Sequence, residues 1–175
     1  HRTYVTESIN GKFNSRDSGV QRFKGTITLT APDGFRGAQT LNGFLAKVKG
    51  RTNTINIELG GAYKSDTVSS NPLAQGVSSI GSESISIDNI IGDIFIGQVF
   101  NIDNDTKVYT ALNDIATSAG TLQIVPALRT TLTDDSVLNF ISPTHEVILN
   151  TNESTIEHRE NGLVSEATLN WIEVL

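Results

Sequence analysis

Gln21-Arg22-Phe23-Lys24-Gly25-Thr26-Ile27-Thr28-Leu29-Thr30, followed by the turn Pro32-Asp33-Gly34 and the segment Phe35 to Lys49, decides how this chain reads. Phe23, Ile27 and Leu29 share one parity, while Arg22, Lys24, Thr26, Thr28 and Thr30 take the other. That is a strand with one apolar face. Beyond the turn the period changes. Leu41, Phe44, Leu45 and Val48 stand at i, i+3, i+4 and i+7, the apolar stripe of a helix. Asp33 is a plausible N-cap and Gly50 a C′ residue. Gly37 and Gly43 each cost the helix about 1 kcal/mol relative to Ala, so it needs a sheet to pack on. Thr54 to Leu59 alternates again and returns as a second strand.

Working outward, Thr3 to Ile9 reads as a strand and Asn10-Gly11 as a hairpin turn; Asn14 to Gly19 reads as polar turn. Gly60 to Gly76 has almost no apolar pattern and reads as a long surface arm or a domain boundary. From there short strands follow at close spacing: Ser84–Ile90, Ile94–Ile102, Lys107–Leu112, Thr121–Val125 and Ser136–Ile141. Polar turns separate them, including Asp103-Asn104-Asp105 and Thr133-Asp134-Asp135. This is the pattern of a small barrel or sandwich. His145 to Asn150, Ser154 to Arg159 and Leu163 to Leu175 are three more strands, the last two joined at Asn161-Gly162 and returning to the N-terminal sheet. The expected fold is mainly β: a β-sandwich with one α-helix (1–75 and 143–175) carrying an inserted small β-barrel-like subdomain (76–142).

Composition narrows the function. The 175 residues are 37% hydrophobic and 18% charged, with 15 Gly, which suits strands joined by many turns. The net charge of −6 and 13 scattered basic residues argue against a nucleic-acid face, which needs clustered Lys and Arg. The one basic grouping is Lys47, Lys49 and Arg51, where cations also complement a helix C-terminus. The absence of Cys excludes disulfides and thiol chemistry. No run of about 18 apolar residues exists to span a membrane as a helix.

No catalytic constellation emerges. Ser78 and Ser79 lack the spacing of a nucleophile elbow. His145-Glu146 is not followed by the second His of a zinc motif, and His158 reads as a solvated strand end. The Asp103–Asp105 and Asp134-Asp135 pairs lack the spaced ligands of a calcium loop and read as hairpin turns. Trp171, the single Trp, reads first as a core anchor and second as a sugar-stacking platform. No catalytic residue, metal ligand or cofactor is expected, and the chain is not expected to be an enzyme.

The arch resembles a known family. Arg16-Asp17-Ser18-Gly19-Val20-Gln21-Arg22-Phe23, then Leu41-Asn42-Gly43-Phe44-Leu45-Ala46-Lys47-Val48-Lys49-Gly50-Arg51, then Thr54-Ile55-Asn56-Ile57 resembles the distal tail and baseplate-hub proteins of long-tailed bacteriophages. The segments Gly92-Asp93-Ile94-Phe95, then Tyr109, Ala119 to Ile124, Pro126 to Arg129 and Asp134 to Phe140 look like a β-module of phage virion proteins. The matched pieces span about two thirds of the chain; Phe23 stands where the family pattern has Trp. The resemblance implies a virion component, assembled in the host bacterial cytoplasm. It would form a homo-oligomeric ring, usually sixfold, between the tail tube and the tail hub, with a tail fibre or receptor-binding protein as a further partner. Lys47, Lys49, Arg51 and Tyr63 are the residues expected at subunit contacts, with the Gly60–Gly76 arm reaching a neighbour. A carbohydrate-binding module for host attachment, a tail-tube role and a head-decoration role are the alternatives.

Overall fold

The computed structural model describes residues 3–7, 13–17, 22–31, 34–58, 63–103, 105–116, 118–151, 155–159 and 164–174. The chain is mainly β with one helix among the described residues, and its sheets form a half-barrel and a nearly closed barrel. The expected fold class is therefore found. The division of the chain is not the expected one. One compact unit comprises 1–22 and 58–144, the other 23–57 and 145–175.

The second unit is built on the arch. Strand β3 (Lys24–Ala31) alternates exposed and half-buried residues, and helix α1 runs from Gly34 to Val48. Strand β4 (Ile55–Glu58) follows. Three strands from the end of the chain complete the sheet: β11 (Thr144–Leu149), β12 (Ile156–Arg159) and β13 (Val164–Glu173). The order is β12-β13-β11-β4, and β3 lies along β13. The β3–β13 ladder is antiparallel over eight residue pairs, from Ser165↔Ala31 to Ile172↔Lys24.

The predicted return of the terminal strand to the N-terminal sheet is thus found. Inward parity puts Ile27, Leu29, Ala31, Ala167, Leu169 and Leu149 beneath Leu41, Leu45 and Val48 of α1. This is the apolar stripe read from the sequence, and burying it supplies the packing that such a helix needs. Gly37 is buried, and a Cβ there would sit 3.1 Å from the Ala31 Cβ, so a larger residue would need Ala31 to give by a few tenths of an ångström. Asp33, the expected N-cap, and the Asn10-Gly11 and Asn161-Gly162 turns lie outside the described residues.

In the first unit, β1 (Thr3–Glu7) and β2 (Phe13–Asp17) form an antiparallel pair. β2 falls where a polar turn was expected; its Phe-Asn-Ser-Arg-Asp sequence has no apolar alternation to betray it. The barrel strands are β5 (Leu73–Ala74), β6 (Ser84–Asp88), β7 (Val99–Ile102), β8 (Val108–Ala111), β9 (Gly120–Val125) and β10 (Leu138–Asn139). Their order is β10-β7-β8-β9-β6-β5. The two ends of that sheet then meet. The Ala74 N–H donates to the Ser136 carbonyl at 2.9 Å and the Leu138 N–H to the Pro72 carbonyl at 3.0 Å.

This closure corrects the expected boundary at residue 76 and the reading of 60–76 as a surface arm. From Tyr63 onward the stretch belongs to the barrel. Ser65, Val68, Pro72 and Ala74 are buried. The Ser65 hydroxyl accepts the Val68 N–H at 3.0 Å and the Gln98 side-chain amide at 3.0 Å. Polar residues hold the segment, so hydrophobic periodicity gives no sign of it.

The barrel core is aromatic at its centre. The Phe100 ring stacks on Phe140 at 4.6 Å and on Tyr109 at 5.8 Å, with Ile85, Ile87, Leu122 and Leu138 fully buried around them. The Asp-rich turns serve the fold. Asp134 Oδ1 accepts the Gly76 N–H at 2.6 Å, and Asp105 Oδ1 accepts the Lys107 N–H at 2.9 Å.

Candidate functional site

The basic step read from the sequence closes α1. Lys49 (φ 51°) and Gly50 (φ 60°) both adopt left-handed backbone, so the helix is stopped one residue earlier than a lone Gly50 would stop it. Two carbonyls at the helix end share a partner residue, Asn53, and the Lys49 carbonyl accepts the Thr52 N–H at 3.2 Å. The Asn53 backbone N–H donates to the Val48 carbonyl at 3.3 Å and its side-chain amide to the Lys47 carbonyl at 2.7 Å. Asn53 was not singled out in the sequence, where Arg51-Thr52-Asn53 is only a polar turn.

This cap shapes a groove. A cavity of about 420 Å³ lies between the end of α1 and β4, lined by Phe44, Lys47, Val48 and residues Asn53 to Asn56. Phe44, Val48 and Ile55 make its floor apolar; Lys47, Asn53, Thr54 and Asn56 make its rim polar. β4 ends the sheet order on this side, so its outer backbone groups have no strand partner among the described residues.

Of the four expected contact residues, Lys47 lines the groove. Lys49 and Arg51 are exposed on the same turn. Tyr63 belongs to the other unit and is 54% exposed, its carbonyl accepting the Val99 N–H at 3.1 Å.

Two polar clusters escape the sequence. At the foot of the half-barrel, His145 and Glu173 are both buried, with His145 Nδ1 3.7 Å from Glu173 Oε1. Glu173 Oε2 accepts the Phe23 N–H at 3.0 Å, and the Glu173 N–H donates to the Phe23 carbonyl at 2.9 Å. The His145 ring lies between Phe23 (5.1 Å) and Trp171 (5.5 Å). Trp171 in turn covers Gly25, where a Cβ would fall 2.7 Å from the indole. The cluster pins the start of β3 to the start of β11 and the end of β13. Its one sequence signal is parity: Glu173 occupies the inward register of Leu169 and Trp171.

In the barrel, the Tyr109 hydroxyl donates to Asp105 Oδ2 at 2.6 Å and accepts the Arg129 N–H at 3.2 Å. Burial, then the hydrogen bond to Asp105, pushes the phenol well above its ordinary range, so it stays neutral and fixed. Among the described residues no group of three or more His, Cys, Asp or Glu is placed to hold a metal ion, and no helix is long and apolar enough to cross a membrane.

Neither a family model nor a curated protein matches the chain.

Proposed function

We propose that this chain is a structural protein of a phage tail tip, assembling as a homo-oligomeric ring that joins the tail tube to the hub or receptor-binding apparatus. It works through complementary surfaces rather than through chemistry. The observation that carries the proposal is the open sheet of the half-barrel. β3 is eight residues long and has β13 as its one strand partner among the described residues. A long unpaired edge is a hazard in a free monomer and a pairing surface in an assembly. A head-to-tail contact sets that edge against a different surface of the next copy and can close into a ring. The resemblance of the arch to distal tail proteins adds the location in the virion.

Light scattering and electron microscopy of the purified chain test the proposal, with ring particles as the expected result. Thr28→Lys with Thr30→Lys puts charge on the β3 edge and should leave folded monomers. A chain that stays monomeric at every concentration and is missing from virions overturns it.

A further inference from the structure

We infer that the groove beside α1 is a docking site for an extended, acidic segment of a different protein, which adds to the free edge of β4 and sets alternate apolar side chains into the groove. Three observations converge on this occupant. The outer edge of β4 has no strand partner among the described residues, the requirement for strand addition. The groove runs alongside that edge with Phe44, Val48 and Ile55 as its floor, and about 420 Å³ accommodates one or two aliphatic side chains. A strand places every second side chain on one face, so apolar residues would fill the floor while the alternate ones reach the rim.

Charge then selects the sign. Lys47 is on the rim and Lys49 on the adjoining turn, both exposed, and among the described residues neither ammonium meets a carboxylate. A carboxylate-bearing segment is attracted and a basic one repelled, which governs specificity and rate of encounter. The same reasoning excludes one surface of a second copy of this chain, its open β3 edge, as the occupant. Its long open strand, β3, is preceded by Arg22 and begins at Lys24, with no Asp or Glu from 22 to 31, so self-pairing here would set cations against cations. The inference stands independently of the ring reading, since β4 and the groove belong to one protomer.

Fluorescence anisotropy with the full chain and labelled octapeptides tests it. Alternating Val-Glu peptide should bind, and alternating Val-Lys and Ser-Glu peptides should bind at least tenfold more weakly. N-methylation of the Val-Glu peptide, which removes its strand hydrogen bonds, should weaken it to the same degree. Lys47→Glu should reverse the preference between Val-Glu and Val-Lys; it alters an exposed side chain, and an unchanged circular dichroism spectrum will show that the fold is kept. Equal binding of Val-Glu and Ser-Glu would reduce the site to charge attraction and overturn the inference. Absence of binding by any peptide would overturn it too. So would concentration-dependent self-association that Lys47→Glu abolishes, which would make a second copy the occupant.

Discussion

The barrel and the half-barrel solve the same problem in opposite ways. Both are antiparallel in every pairing described and both alternate inward apolar with outward polar residues. The barrel joins the two ends of its sheet through Ala74, Leu138 and their carbonyl partners, so those edges are turned toward each other. Its core is aromatic and deep, and even Tyr109 has its hydroxyl held at both ends. The half-barrel stops short. One helix covers one face, six buried apolar residues cluster between it and the sheet, and β3 and β4 each have one strand partner among the described residues. Closure gives a self-sufficient body, and leaving a sheet open gives a surface that other chains can complete.

That contrast can be broken experimentally, because the single Trp of the chain lies in the half-barrel. Trp171 fluorescence follows one unit while near-ultraviolet circular dichroism from Phe100, Tyr109 and Phe140 follows the other. The largest effect is expected from Phe100→Ala, which empties the centre of the barrel stack at a cost of about 3–5 kcal/mol. The dichroism transition in urea should move and the Trp171 transition should not. If both move together, the two units unfold as one and the contrast fails.

Leu41→Ala is the mirror experiment. It removes a buried contact between α1 and the sheet, costs about 2–4 kcal/mol, and should move the Trp171 transition alone. Gly25→Ala comes next. The new Cβ meets the Trp171 indole at 2.7 Å, so the ring must shift, at about 1–3 kcal/mol. A red-shifted Trp171 emission should accompany the loss; unchanged emission would mean that the indole is not seated on Gly25.

The smallest effect is at Tyr109. Tyr109→Phe removes a hydroxyl with two partners and costs about 1–2 kcal/mol. Its pH dependence is more telling. The phenol is raised in the folded barrel, whereas an unfolded Tyr ionises near pH 10. Above about pH 10 the unfolded chain loses a proton that the folded one keeps, so stability falls as pH rises through that range. Tyr109→Phe should flatten that fall. An equally steep alkaline loss in the variant would assign it to another group.

Much of the half-barrel was legible before any coordinates. Ile27 and Leu29 announce β3, Leu41 through Val48 announce α1, and the alternation ending at Trp171 announces β13, because each sets one apolar face against a polar one. The 63–76 stretch was not legible. Ser65 and Pro72 are buried there by hydrogen bonds and closure geometry, which leave no periodic trace. The candidate site divides in the same way. Lys47, Lys49 and Arg51 are adjacent in sequence and stay together in space. The groove depends on Asn53, whose capping role needs the left-handed turn at Lys49 and Gly50. Phe23 and Glu173 are 150 positions apart, and only the β3–β13 ladder brings them within hydrogen-bonding distance.

That ladder also has a consequence for synthesis. Strand β3 leaves the ribosome early and its partner β13 leaves nearly last. In between, the whole of residues 58–144 emerges and can close on itself. For that interval the nascent chain carries an eight-residue strand with an apolar face and no partner on either side. Lys24 and three outward threonines, Thr26, Thr28 and Thr30, are its protection against pairing with another chain. The order of emergence thus makes the barrel the earlier body to fold, and leaves the open sheet to be finished by the last ten-residue strand.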